Sequence, residues 1–347
     1  MIAVRSKAPV RVDFAGGTTD LAAFSSREGG AVVNAAISRY AYCSLRPAAS
    51  NGVRITSDDL QTHVEAETIK ELEYDGNLDL VKAGVRRLGL DVGLDIAVRC
   101  DAPPGSGTGS SASVGVALIG MLDSLRLALD GEELPRMSRY DIADMACELE
   151  AELGIVGGKQ DQYAAALGGI NYMEFYDRGR VAVRSLDLSE DVLRELEKHL
   201  VLVYGGESRL SGDTNDKMIS AYERGDEQVG AALRTIKRVA QDIQRVLLIG
   251  DLGAFGELLE EETAARVKLY DQVMTPGMAR LREVAQDAGA IGGKICGAGG
   301  GGCMLFYARP DREVRVRRAL TEAGGRILDF TFDGEGLQVW RREEPDP

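Results

Sequence analysis

Pro103-Pro-Gly-Ser-Gly-Thr-Gly-Ser-Ser-Ala-Ser113 decides how this 347-residue chain is read. Gly105, Gly107 and Gly109 stand at alternate positions, stripping Cβ atoms from one face of a loop and letting backbone N–H groups turn toward an anion. Upstream, Leu94–Cys100 alternates as a strand; downstream, Ala112–Leu129 reads as one long apolar helix. A loop that leaves a strand and feeds a helix adds the helix's unpaired N–H donors and its dipole to such a site. Ser110 and Ser111 stand where hydroxyls can bind phosphate oxygen or a metal ion. The segment therefore predicts a polyphosphate cradle over Pro104, Gly105, Ser106, Gly107, Thr108, Gly109, Ser110 and Ser111. The plainer alternative is a glycine turn whose serines cap the helix. Two familiar loops are excluded. No Lys follows as G-x-x-x-x-G-K-[ST] demands, and the third position of G-x-G-x-x-G is Ser110. That second pattern matches literally at Gly297, Gly299 and Gly302, but Cys303-Met-Leu-Phe-Tyr after it reads as a strand, so the match is false.

Three further segments carry candidate chemistry. In Gly297-Ala-Gly-Gly-Gly-Gly302, five of six residues are glycine between two apolar strands. Ordering so many glycines is entropically expensive, which favours a backbone lining for a ligand at Gly297, Ala298, Gly299 and Gly300 over a simple turn. In Ala8–Asp20, strand-like residues run into Gly16-Gly17, then Thr18, Thr19 and Asp20. Asp20 suits hydrogen bonding to a polyol, or else it caps a short helix. In Glu148–Tyr163, a helix, a glycine turn and Asp161 come in succession. Glu148 and Glu152 share one helix face and Glu150 lies on another; a solvated acidic face is the ordinary explanation, and a magnesium ligand the functional one.

Around these segments the chain is ordinary. Its length suits one large or two average domains, with ample core and no need of disulfides or a structural metal. A formal charge of −14 argues against nucleic acid or an anionic membrane as partner, but not against a small phosphorylated ligand. Five scattered cysteines show no CxxC, and only His63 and His199 accompany them, so no zinc pattern exists. MIAVRSKAPV lacks a signal-peptide core and no run of eighteen apolar residues occurs, which predicts a soluble, cytoplasmic protein. Short strands at Ile2–Ser6, Val10–Ala15, Ala31–Ile37, Tyr40–Pro47 and Val53–Thr56 open the first half. Helices at Leu78–Leu88 and Ser138–Leu153 follow, with strands at Gly169–Phe175 and Val181–Leu186. After a boundary near 187–200, a strand at Leu200–Tyr204 leads into helices at Asp213–Arg224, Glu227–Ile249, Gly253–Ala265 and Gly277–Ala288. Strands at Ala290–Ile295 and Cys303–Ala308, a helix at Asp311–Ala323 and a strand at Arg326–Phe332 close an α+β pattern, with Glu343–Pro347 frayed.

Taken together, the four segments resemble the GHMP kinase superfamily of small-molecule kinases, and the likeness covers nearly the whole chain. Pro104-Gly-Ser-Gly-Thr-Gly-Ser-Ser-Ala is similar to its nucleotide loop and Lys294-Ile-Cys-Gly-Ala-Gly-Gly-Gly-Gly to its C-terminal glycine motif. The resemblance implies a two-domain α+β fold, ribosomal S5 domain 2-like over 1–190 and ferredoxin-like over 191–347, with ATP and acceptor in the cleft between. It implies that Asp161 is the catalytic aspartate, Arg11 the basic residue beside it and Asp20 the sugar-binding aspartate. It implies Mg²⁺ on Ser111 and Glu150, with Glu148 and Glu152 as alternatives. Arg5-Ser-Lys-Ala-Pro and Asn34–Cys43 resemble D-glycero-D-manno-heptose 7-phosphate kinases, which act on the anomeric hydroxyl. At Val12–Asp20 those enzymes have an apolar-Gly-Leu-Ala-Gly-Gly-Gly-Thr-Asp pattern, whereas Asp13-Phe and Thr18 here are nearer to fucokinase-like relatives. A sugar kinase acting on a sugar or sugar phosphate is thus expected, with a fucose-, galactose- or uronic-acid-type acceptor, or a non-catalytic ATP or sugar sensor, as alternatives. Arg209 is a candidate contact for an acceptor phosphate, and a homo-oligomer stays open.

Overall fold

Pro9 lacks a backbone donor and would be expected to split the first apolar run in two. In the computed structural model, which describes residues 2–48, 51–90, 92–132, 134–206 and 211–343, the run is instead one strand, β1 (Ile2–Ala15). The chain absorbs the proline by slipping register there: Pro9 faces Tyr40 but Val10 faces Ile37. Its partner β2 (Gly30–Ala48) likewise fuses two expected strands, and the short helix α1 (Ala22–Glu28), foreseen only as one for Asp20 to cap, joins β1 to β2 with Leu21 as its N-cap. Then come β3 (Val53–Ser57), β4 (Thr62–Ala66), α2 (Asp79–Leu88), β5 (Gly93–Cys100), α3 (Ser110–Asp130), α4 (Arg139–Glu152), α5 (Gln160–Leu167), β6 (Ile170–Phe175) and β7 (Val181–Ser185). The second half contains α6 (Glu190–His199), β8 (Leu200–Tyr204), α7 (Ser211–Glu223), α8 (Glu227–Ile249), α9 (Leu252–Arg266), α10 (Pro276–Ala288), β9 (Ala290–Ile295), β10 (Cys303–Ala308), α11 (Glu313–Glu322), β11 (Arg326–Ile327) and β12 (Gln338–Glu343).

These strands make two sheets. The larger runs β12-β1-β2-β5-β3-β4, with β6 on β2 and β7 on β6; the smaller runs β11-β8-β10-β9. Helices α2 to α5 cover one face of the larger sheet, burying Val116, Ile119 and Leu122 of α3 against Val4, Leu45 and Ile96. Helix α3 is long and apolar enough to cross a membrane, yet 72% of its apolar window is buried inside the fold, which makes it a core helix. Helices α10 and α11 pack on the smaller sheet through Leu281, Val316 and Leu320. A third core is common to both halves: Val10, Val12 and Phe14 of β1 meet Leu202, Ile243, Phe255 and Leu305. All five cysteines are free thiols.

The C-terminus departs from expectation. The last strand of the smaller sheet is only two residues long, and the chain after it crosses back rather than continuing to Phe332. Ile37 bridges Phe332, and Gln338–Glu343 pairs antiparallel with Lys7–Ile2 as an edge strand of the larger sheet. The stretch that sequence assigned to the second unit therefore completes the first. Leu337 leads the return: it is buried, and at Gly120 of α3 a Cβ would lie 2.7 Å from Leu337 Cδ2. Leu337→Ala should lower unfolding stability by about 2–4 kcal/mol in urea titration, whereas Trp340→Ala, on an exposed side chain, should stay within about 0.5 kcal/mol. Equal effects from the two would refute this anchoring.

Candidate active site

The segment between β5 and α3 takes the form its glycines permit. Gly105, Gly107 and Gly109 all have φ between +67° and +76°, and the loop ends where α3 starts at Ser110. Ser106 and Thr108, both buried, share a 2.7 Å hydroxyl bond that stiffens the loop from inside. Two ties fix it to its surroundings: Arg11 N donates to Thr108 O at 2.9 Å and Cys303 N to Ser106 O at 2.8 Å. The C-terminal glycine cluster is pressed against it backbone to backbone. A Cβ at Gly107 would lie 2.5 Å from Cys296 O, and one at Gly302 would lie 2.7 Å from Gly105 O. Much of the glycine density therefore serves close packing of the two loops rather than the lining of a ligand. Gly297 and Ala298 do line the cleft. Gly299 and Gly300 turn onto Val273 instead, with Gly300 N donating to its carbonyl at 2.8 Å.

The cleft holds about 960 Å³ of open space, mouth included, and brings together Arg11, Gly17, Thr18, Asp20, Gly105, Ser106, Gly107, Gly109, Ser110, Ser111, Glu150, Asp161 and Gly297. Pro104 is exposed and Thr108 buried within the loop; neither lines the cleft, nor does Gly16. Arg209 lies outside the described residues.

Asp161 sits in the first turn of α5. Arg11 grips its Oδ1 twice, from Nε at 2.8 Å and Nη2 at 2.6 Å, and gives Nη1 to Gly107 O at 2.6 Å. One guanidinium thus spans the aspartate and the glycine loop. Burial pushes the Asp161 carboxyl up, Arg11 pulls it back, and the balance stays above the ordinary carboxylate value. Asp20 accepts a bond from Gln160 N at 3.2 Å. Its neighbour Gly158 has to be glycine, since a Cβ there would fall 1.8 Å from Asp20 Oδ2. Burial, then repulsion from Asp161, pushes Asp20 up to about 6.

The structure settles the register of α4. Glu148 pairs with Arg87 and Glu152 accepts from Tyr74 at 3.1 Å, both on the outer surface. Of the three, Glu150 alone lines the cleft. Its Oε2 accepts from Gln162 Nε2 at 2.7 Å. Burial first and Asp161 second push it up to about 7, against the lowering effect of hydrogen bonds from Ser111 and Gln162. Ser111, in the first turn of α3, and Glu150, in the last turn of α4, are therefore neighbouring oxygen ligands for a cation.

Behind the cleft lies a charge network that the sequence reading missed. Asp13, Glu262, Arg266 and Lys294 are each fully buried, at 0% exposure. Lys294 Nζ bonds Asp13 Oδ2 at 2.7 Å; Arg266 Nη2 bonds Glu262 Oε1 at 2.6 Å and Gly17 O at 2.7 Å. Nη1 of the same guanidinium reaches Thr18 Oγ1 and Gly297 O, each at 3.1 Å. Burial would raise Asp13, but Lys294, Arg11 and Arg266 together hold it down at about 2. The one available signal was Lys294, an ionisable residue inside the otherwise apolar run Ala290–Ile295.

Similarity to known proteins agrees with this geometry. Residues 78–169 match the GHMP kinases N terminal domain and residues 239–326 the GHMP kinases C terminal domain. A D-glycero-alpha-D-manno-heptose 7-phosphate kinase from Campylobacter jejuni is 33% identical over 98% of this chain and 100% of its own length. The crystal structure of a D-glycero-D-manno-heptose 1-phosphate kinase from Bacteriodes thetaiotaomicron superposes with TM-score 0.80 at 32% identity, covering 98% of this chain and 100% of that one. Lactococcus lactis galactokinase, with TM-score 0.75, 20% identity and coverage of 97% and 95%, shares the fold. A glycine loop feeding α3, a second glycine cluster sealed against it and two matching domain signatures converge on one conclusion: the chain belongs to the GHMP kinases.

Proposed function

We propose that this sugar kinase transfers the γ-phosphoryl group of ATP to the anomeric hydroxyl of a heptose 7-phosphate. The observation that carries the reading is the Arg11 guanidinium, which joins Asp161 to the glycine loop and so puts a base and a phosphate cradle on one rigid element. Heptose phosphates enter from the names of two relatives, 33% and 32% identical, which share the heptose and differ in the phosphate named.

On this reading, N–H groups of Gly105–Ser111 and the start of α3 hold the phosphates, as glycine loops at helix starts do. Asp20 binds sugar hydroxyls, with Gly17 and Thr18 forming the wall beside it. Arg11 occupies Oδ1 of Asp161, which leaves Oδ2 to orient the attacking hydroxyl and take its proton. Arg11 also stabilises negative charge as the phosphoryl group moves. Ser111 and Glu150 would hold Mg²⁺, which when bound neutralises charge on the β- and γ-phosphates. Two protein oxygens suit an ion that keeps waters and phosphate oxygens as its remaining ligands. Among the described residues no group of three or more His, Cys, Asp or Glu forms a cage of protein ligands alone. Most of the acceleration would then come from alignment and charge neutralisation. A sensor that binds ATP without turnover is the weaker reading, because the loop, Arg11 and Asp161 are all present and joined.

Asp161→Asn should reduce kcat about 10³-fold, in the range that removal of a positioned base produces. The melting temperature should stay within about 3 °C, since Gly107 O still holds Arg11. Near-normal turnover would remove Asp161 from the chemistry. Identifying the product by NMR after ATP consumption with heptose 7-phosphate, free hexoses and deoxysugars should give a 1-phosphate of the heptose; turnover with a free sugar alone would keep the kinase and discard the heptose.

Glu150 gives a test that needs no substrate. A carboxyl raised to about 7 contributes stability below about 4.5, and that contribution is lost as pH rises through 7. Glu150→Gln should therefore raise the melting temperature at pH 8 and leave it nearly unchanged at pH 5. The same variant should weaken the apparent Mg²⁺ affinity in turnover at least tenfold. A stability gain of the same size at both pH values would contradict the assigned burial cost.

A further inference from the structure

Thr18 is a residue in the wrong conformation for its type. Its φ of +78° lies in the left-handed region, which a β-branched side chain strongly disfavours. Among the described residues four other non-glycine positions have positive φ, namely Gln61, Leu78, Arg178 and Asp311. None of them is β-branched or buried, whereas Thr18 is both, at 8% exposure. The preceding Gly16 and Gly17 are glycines for an evident reason, since Cβ atoms there would fall 2.0 Å from Ala31 O and 2.5 Å from Asp13 Oδ2. At position 18 a glycine would relieve strain, yet threonine stands there, in the cleft wall. Strain of this kind persists where the surroundings hold it and function uses it.

What holds it is Arg266, which is fully buried and anchored by Glu262, and whose Nη1 donates to Thr18 Oγ1 at 3.1 Å. An oxygen that accepts from a guanidinium cannot aim its own hydrogen back at it. The Thr18 hydroxyl is thereby left with a donor for a different partner, at the rim shared with Gly17 and Asp20. We propose that Thr18, set by Arg266, is a specificity-determining residue of the acceptor site, its hydroxyl donating to an oxygen of the sugar and its methyl group limiting the space beside it. The inference rests on the reading of the Gly16–Asp20 loop as the acceptor wall.

The test uses the full chain with Thr18→Ser, Thr18→Ala and Thr18→Gly. It compares kcat/KM for heptose 7-phosphate, mannose 6-phosphate and L-fucose, with the KM for ATP as internal control. Loss of the hydroxyl in Thr18→Ala and Thr18→Gly should shrink the ratio between the best and second-best acceptor at least tenfold, while the KM for ATP stays within twofold. Thr18→Ser, which keeps the donor, should hold the ratio within threefold of the parent, and Thr18→Gly should melt roughly 2 °C higher as strain is released. Unchanged ratios in Thr18→Ala would overturn the proposal even if Thr18→Gly fails to fold, and a uniform loss with all acceptors would reduce Thr18 to a structural role. If the parent protein turns over none of the three acceptors, the heptose reading falls and this inference with it; if the parent is active and the variants keep its order, this inference alone falls.

Discussion

Four buried charges, Asp13, Lys294, Arg266 and Glu262, hold the halves of the molecule in the one arrangement that gives a cleft. Each is fully buried, and an unpaired charge there would cost several kcal/mol. Pairing is possible only when β1, α9 and β9 are brought to hydrogen-bonding distance, so the desolvation penalty makes any other docking of the halves unfavourable. Strand geometry then does the rest. Arg11 and Asp13 are two apart on β1 and so project from the same side, while Val10, Val12 and Phe14 project from the other into the shared core. A single strand thereby places Arg11 on Asp161 and Asp13 on Lys294 at the same time, and the cleft position becomes a consequence of the pleat.

Close approach of backbones is the second constraint. The nucleotide-type loop and the C-terminal glycine cluster touch with no room for a Cβ at Gly107 or Gly302. The hydrogen bond from Cys303 N to Ser106 O ties the first residue of β10 to the loop. The loop therefore gets its shape from both halves of the chain, although its residues come from one. Gly158 plays the same part for Asp20, where the side chain of one segment fills the space that a Cβ of the other would need.

How far this was legible in the sequence depended on whether partners were near in the chain. The loop and its helix were readable because glycine spacing, strand and apolar run are contiguous, and the helix Glu227–Ile249 and strands Ala290–Ile295 and Cys303–Ala308 stand where periodicity put them. Glu150 was ambiguous because three acids recur every second residue, and only the contacts of α4 with α3 and α2 decide which faces the cleft. Lys294 and Asp13 are 281 residues apart and Arg266 and Thr18 are 248 apart, so nothing local marks them as partners. Gln338–Glu343 is rich in charge and has weak alternation. Its strand state comes from the vacant edge of β1, a tertiary fact that overrides its composition.

The electrostatics of the cleft follow from the same economy of basic residues. Among its described lining residues Arg11 is the single basic side chain, against Asp20, Glu150 and Asp161. A polyphosphate cannot be held there by a field of lysines, which agrees with a chain of net charge −14. The attraction has to come from oriented N–H groups of the loop and the dipole of α3, which act at short range and only on a group seated in the cradle. Burial first, and then repulsion from Asp161, lifts Asp20 toward 6 and Glu150 toward 7. An anion entering this site adds to that repulsion, which the loop N–H groups, the α3 dipole and Arg11 oppose. On the proposed reading, a divalent cation held by Ser111 and Glu150 would relieve the same repulsion, because Glu150 is one of the acids that produce it.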